Sequence, residues 1–140
     1  MAYIDTSVLA AYYCPEKLSA AVQAELARDK SPTISPLVEV ELCSAVALKV
    51  RIGELRADAA RQVISLFQLH IADGRYDLIP ITTREYALAR DWISRLTVPL
   101  RTLDALHLAA AFARGITFLT SDKLLARAAG QLGVAYRLLG

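Results

Sequence analysis

The chain has 140 residues, the size of one domain, with 55% hydrophobic and 21% charged residues. That apolar content excludes disorder and leaves apolar surface for a partner to cover, while no unbroken apolar run reaches the ~18 residues of a membrane span. The net charge of +2, from 16 basic and 14 acidic residues, shows no basic excess, so any affinity for nucleic acid has to come from particular side chains.

The opening MAYIDTSVLAAYYCPEK has no basic leader, and Asp5 interrupts its apolar stretch, so no signal peptide is expected. Ala2–Ile4 read as a short strand ending at Asp5, and Ser7–Tyr13 as a helix that stops before Pro15. Glu16–Asp29 read as an amphipathic helix and Thr33–Ile34 as a second strand. Ser35-Pro36 supply an N-cap and a proline at the first helical position for a helix over Leu37–Arg51. Gly53 breaks it, and Leu55–Ala72 form another helix. Asp77–Ile81 (DLIPI) read as a strand near a sheet edge, because proline fits a central strand poorly.

Thr82 and Glu85 have capping-box spacing ahead of a helix over Arg84–Leu96. Thr102 is the expected cap of a helix over Leu103–Arg114, stopped by Gly115. Ile116–Leu119 read as a strand, Ser121–Ala129 as a helix ended by Gly130, and Val134–Leu138 as the last strand. Five short apolar strands alternating with helices predict one α/β domain over 1–140, with a parallel sheet covered on both faces. Cys14 and Cys43 lack metal-ligand spacing and are too few for a disulfide framework, so buried thiols in a reducing cytoplasm are expected.

In such sheets ligands bind outside the carboxyl ends of the strands. Asp5 follows the first strand, and Asp122 follows the fourth. Asp104 lies in the first turn of the helix before that strand, and Glu41 in the second turn of the helix after strand two. A first-turn aspartate can simply complement the helix dipole, which is a sufficient account of Asp104 or Asp122 alone. Asp5 interrupts an apolar segment and Glu41 heads an apolar stripe through Ala45 and Leu48, where an unpaired carboxylate is costly. Several carboxylates without a histidine or cysteine cluster suit a hard cation such as Mg²⁺ or Mn²⁺. The chemistry indicated is metal-dependent attack on a phosphodiester.

The segments MAYIDTSVL, VEVELCSAV, RTLDALHLAAA and FLTSDKLLARAA resemble, in this order, the acidic blocks of PIN domains, particularly those of VapC toxins. The resemblance implies a three-layer sandwich whose five-stranded parallel sheet has the order 3-2-1-4-5, with helices on both faces. It also implies Mg²⁺- or Mn²⁺-dependent endoribonuclease activity, a homodimer and a cognate VapB-like antitoxin. Position by position, it makes Asp5, Glu41, Asp104 and Asp122 the catalytic and metal-binding carboxylates. Thr6, Ser7 and Thr120 fall on hydroxyl positions that support the acids or bound water. Glu39 competes with Glu41, since at ~100° per residue the two point to nearly opposite sides and both head apolar stripes. The family pattern favours Glu41.

A PIN nuclease of RNA processing that is not a toxin, and a non-catalytic PIN-like binding module, are the alternatives. A response-regulator receiver would need an aspartate after DLIPI and a lysine near VAYRLL, and neither is there. His107 is read as packing or hydrogen-bonding, and His70 as a surface or interface residue. Tyr3, Tyr12, Tyr13 and Phe112 lie at core-like spacing. Arg75, Arg84, Arg95 and Arg101 are read as solvated surface.

Overall fold

A strand covered on both faces carries apolar side chains at consecutive positions, where a half-exposed strand alternates. The computed structural model describes residues 1–15 and 17–140. Along the chain run β1 (Ala2–Ile4), α1 (Thr6–Tyr13), α2 (Ser19–Arg28), β2 (Thr33–Ile34), α3 (Pro36–Arg51), α4 (Ala57–Ala72), β3 (Asp77–Leu78), α5 (Thr83–Ser94), α6 (Thr102–Arg114), β4 (Thr117–Thr120), α7 (Lys123–Gln131) and β5 (Tyr136–Leu138). The five strands form one sheet in the order β3-β2-β1-β4-β5, and every pairing is parallel. This is the α/β architecture that the sequence pattern predicts and the strand order that the family resemblance implies.

The central strands show why. Tyr3 and Ile4 of β1 and Phe118 and Leu119 of β4 are all buried, so both faces of the sheet are covered. Tyr3 pairs in register with Phe118, and their rings stack at 5.9 Å. That column faces α6, which packs on β1 and β4, while α1 also lies against β4. The edge strands β3 and β5 are exposed, and β3 ends two residues before Pro80. Among the described residues, no helix is long and apolar enough to cross a membrane.

Several boundaries differ from the sequence reading. The start expected at Glu16 lies outside the described residues, and α2 begins at Ser19. Ser35 occupies the N-cap position of α3 without capping it, because its hydroxyl bonds to Tyr3 instead. Arg101, not Thr102, holds the N-cap position of α6, and Thr102 is already helical. The helix predicted to stop at Gly130 runs on to Gln131, and Gly133 takes the left-handed turn at φ +75°. Gly130 is small for a different reason: a Cβ there would meet the Tyr136 ring at 3.3 Å. Phe112 is 47% exposed, its ring edge-on to Trp92, and does not belong to the core. His70 is buried and bonded to Tyr13 Oη at 2.7 Å, so it is not a surface residue. Burial, together with the Arg75 charge, holds the His70 pKa below the ordinary histidine range against an opposing Asp73.

The capping box of α5 is present in full. Thr82 Oγ1 accepts from the Arg84 backbone at 3.3 Å, and Glu85 Oε2 accepts from the Thr82 backbone at 2.9 Å. Thr82→Ala removes the cap, and Glu85, buried, loses a donor. We expect a loss of about 1–2 kcal/mol in urea unfolding with an unchanged m-value. A loss under about 0.3 kcal/mol would show that the box contributes nothing to this fold.

Candidate active site

Parallel register gathers the carboxyl ends of β1 and β4 at one edge of the molecule. Ile4 pairs with Leu119, and the Asp5 backbone donates to Leu119 O at 2.9 Å, which sets Asp5 beside Thr120. Asp5 is only 5% exposed, so its carboxylate needs partners. Oδ2 accepts from Ser7 Oγ at 2.7 Å and from Thr120 Oγ1 at 2.8 Å. Those hydroxyls are themselves held: Ser121 N donates to Ser7 Oγ at 3.2 Å and Asp122 N to Thr120 Oγ1 at 3.0 Å. Oδ1 takes no hydrogen bond among the described residues. No buried side-chain N or O atom among them lacks a partner, so Oδ1 keeps access to solvent.

Glu41 projects from the second turn of α3 towards α6. Its Oε1 accepts from Thr6 Oγ1 at 3.1 Å and is hydrogen-bonded to His107 Nε2. Burial alone would raise its pKa, but the His107 hydrogen bond and charge, Thr6 and Arg101 outweigh burial and hold it below the usual glutamate range. Glu39, partly buried, has no hydrogen bond or ion pair among the described residues.

Asp104, in the first turn of α6, is the common neighbour of the other acids. It lines a cavity of about 320 Å³ with Glu41, Arg101, Thr102 and Leu103. A second of about 360 Å³ is lined by Asp104, Asp122, Pro99, Leu100, Arg101 and Leu124, among others. Burial and the nearby Asp5 charge push the Asp104 pKa above the usual aspartate range, more than the adjacent Arg101 lowers it. Asp122 sits at the N-cap of α7, where Oδ1 accepts from Leu124 N at 2.9 Å and Leu125 N at 3.1 Å. A larger cavity of about 540 Å³ opens beside Tyr12, His70 and Tyr76, but among the described residues Asp29 is the one carboxylate lining it. We place the chemistry in the smaller cavities because the acids converge there.

Three residues of this region escaped the sequence reading as site residues. His107 is fully buried, with Nδ1 2.7 Å from Tyr3 Oη, which is in turn 2.7 Å from Ser35 Oγ. Burial pushes the Tyr3 phenol well above its ordinary pKa, so it keeps its proton. The signals available were the two-residue spacing of Tyr3 and Asp5 on one strand face and the three-residue spacing of Asp104 and His107 on one helix face. The same helical spacing joins Arg101 to Asp104, and Arg101 lies at the cavity rim, not on unrelated surface.

The donor set is all oxygen, which suits a hard divalent cation, and the open Asp5 Oδ1 and the destabilised Asp104 charge are features a cation would use. Among the described residues no three His, Cys, Asp or Glu side chains group closely enough to hold an ion together. A Mg²⁺-like ion would need only one or two of these carboxylates directly, with water for the rest. Without cation, ionised Asp104 opposes folding. Its folded pKa is raised, so its unfavourable contribution grows as pH rises through that pKa. Asp104→Asn in metal-free buffer should melt higher than the parent at pH 7, with the gap closing as pH falls towards 4. A variant that melts lower than the parent at pH 7 would refute the charge conflict.

The fold and site can be set beside known proteins. A family model of the PIN domain matches residues 2–131. Among solved structures, the chain is similar to VapBC2 of Rickettsia felis, solved bound to a DNA fragment of its promoter (15% identity, 100% of both chains covered, TM-score 0.72). It is also similar to VapC20 of Mycobacterium tuberculosis, a toxin that cleaves the sarcin–ricin loop (20% identity, 91% of this chain and 95% of that chain, TM-score 0.70). FitAcB of Neisseria gonorrhoeae is a third (20% identity, 97% and 96% covered, TM-score 0.75). At these identities the likeness is one of fold. No curated protein sequence matches significantly. With the family model spanning nearly the whole sequence and the sheet in the matching order, the chain belongs to the PIN-domain family.

Proposed function

We propose that the chain is a Mg²⁺- or Mn²⁺-dependent endoribonuclease acting in the cytoplasm as the toxin of a toxin–antitoxin pair, with a VapB-like antitoxin as its inhibitor. The observation that carries the reading is the convergence of Asp5 and Asp104: one buried with a single oxygen left open, the other raised in pKa by burial and its neighbour. Two such carboxylates on a PIN scaffold repel an RNA phosphate unless a cation accompanies it. When bound, the cation supplies Lewis acidity and offsets the charge of the phosphodiester. Asp5 and Asp104 would hold it, with Glu41 and Asp122 on the flanks. Ser7 and Thr120 keep the Asp5 carboxylate turned, and Thr6 does the same for Glu41. Exposed Arg101 at the rim is placed to meet a phosphate oxygen.

The histidines do not offer an acid–base pair for a 2′-hydroxyl attack. His107 is fully buried between Tyr3 and Glu41, and His70 is bonded to Tyr13 by the other, larger cavity. Water is the remaining nucleophile, and departure of the 3′ oxygen leaves 5′-phosphate and 3′-hydroxyl ends. Cleavage of a short RNA should need Mg²⁺ or Mn²⁺ and stop in EDTA. Asp5→Asn and Glu41→Gln should each lower it on the order of 100-fold or more, and Glu39→Gln by less than about 3-fold. A cyclic phosphate product, or full activity in Asp5→Asn, would refute this reading.

The helices α3 and α4 support the partner assignment. Val40, Leu48 and Ile52 at α3, and Leu66 and Leu69 on α4, are exposed large apolar side chains. We expect light scattering to report a dimer at micromolar concentration, and Leu48→Lys with Leu69→Lys to shift it towards monomer. A strict monomer at the highest soluble concentration would refute the homodimer that the family resemblance implies.

A further inference from the structure

Two of the site carboxylates are held in the same manner. Asp5 has Oδ2 clamped by two hydroxyl donors and Oδ1 without a protein partner. Glu41 has Oε1 clamped by Thr6 and His107, and Oε2 takes no hydrogen bond among the described residues. The clamp on Asp5 is built from hydroxyls that border the site. The clamp on Glu41 reaches deep into the core: His107, Tyr3 and Ser35 are each fully buried and joined in a line.

The line is anchored at its outer end by Glu41. An ionised carboxylate only accepts, so Nε2 of His107 carries the proton it shares with Glu41. Behind it, His107 Nδ1, the Tyr3 hydroxyl and the Ser35 hydroxyl follow one another at 2.7 Å each, so both ring nitrogens are engaged. Each polar atom finds a partner, and the imidazole is left with one orientation. A core that needed only volume here would be served as well by apolar residues, which often replace buried polar groups at no loss of stability. The line joins the end of β1, the start of α3 and the first turns of α6, and these are the segments that deliver Asp5, Glu41 and Asp104.

We infer that Tyr3 and His107 are positioning residues, which hold Glu41 so that its free Oε2 faces a divalent cation or that ion's water. The inference rests on the metal-dependent reading of the site. Neither residue touches substrate, and both act through Glu41. Groups that orient a metal ligand from behind typically change metal affinity by about 10–100-fold when removed.

The test is Mn²⁺ binding to the full chain without RNA, followed by electron paramagnetic resonance of the free ion. Tyr3→Phe removes one hydroxyl and keeps the ring that stacks on Phe118. His107→Leu removes the donor, and His107→Gln returns an N–H near the Nε2 position. We expect Mn²⁺ affinity to fall about 10-fold or more in His107→Leu, to fall measurably in Tyr3→Phe, and to recover to within about 3-fold of the parent in His107→Gln. RNA cleavage should follow in kcat with KM nearly unchanged. If His107→Leu fails to fold, Tyr3→Phe decides alone. Weak Mn²⁺ binding in Asp5→Asn together with parent-like binding in Tyr3→Phe and His107→Leu would overturn the inference and leave the metal site standing. Parent-like binding in Asp5→Asn would remove the metal site and this inference with it.

Discussion

Asp5 places a carboxylate at the end of the central strand, almost out of contact with water, and much of the surrounding structure answers that demand. Its two donors come from opposite ends of the chain, Ser7 from the start of α1 and Thr120 from the end of β4. Both become neighbours of Asp5 only because β1 and β4 pair in parallel with Ile4 opposite Leu119. A shift of that pairing by one residue would turn Thr120 to the other face and leave the carboxylate without its second donor. The register of two short strands and the satisfaction of one buried acid thus depend on each other.

The same logic extends outward through α6. Asp104 and His107 lie one turn apart on its inner face; one stands near the charge of Asp5, and the other bonds to Tyr3 and Glu41. Residues 105–111 of that helix are buried, so α6 has little freedom to rotate. Negative charge is concentrated at one end of the sheet, and the buried polar line behind it is satisfied throughout. An arrangement of this kind has a conflict at its surface and none in its core, which is the pattern of a binding site on a rigid frame.

Much of this was legible in the sequence. Consecutive apolar residues in short segments marked a parallel sheet, and a carboxylate inside MAYIDTSVL stood out because nothing local explained it. The capping box of α5 was legible because both of its hydrogen bonds are local. Most of the failures share a cause, a contact made outside the element that carries the signal. Ser35 carries the composition of a cap, but Tyr3, 32 residues away, takes its hydroxyl. Gly130 has the composition of a helix stop, but the ring of Tyr136 decides its role. Phe112 falls on a core-like spacing but is 47% exposed, and His70, read as a surface or interface residue, is buried against Tyr13, 57 residues away. The pairing of His107 with Glu41 spans 66 residues and two helices, beyond what periodicity can convey.

Asp122 has a further consequence for how such a molecule can change. One of its oxygens is committed to the first turn of α7, while the residue also lines a cavity with Asp104. Alanine at this position removes a carboxylate and a helix cap together, so its effect cannot be assigned to the charge alone. Asparagine and serine can still accept from those backbone groups. Substitutions that surrender the charge and keep the cap therefore separate the two roles of this position, one electrostatic and one structural.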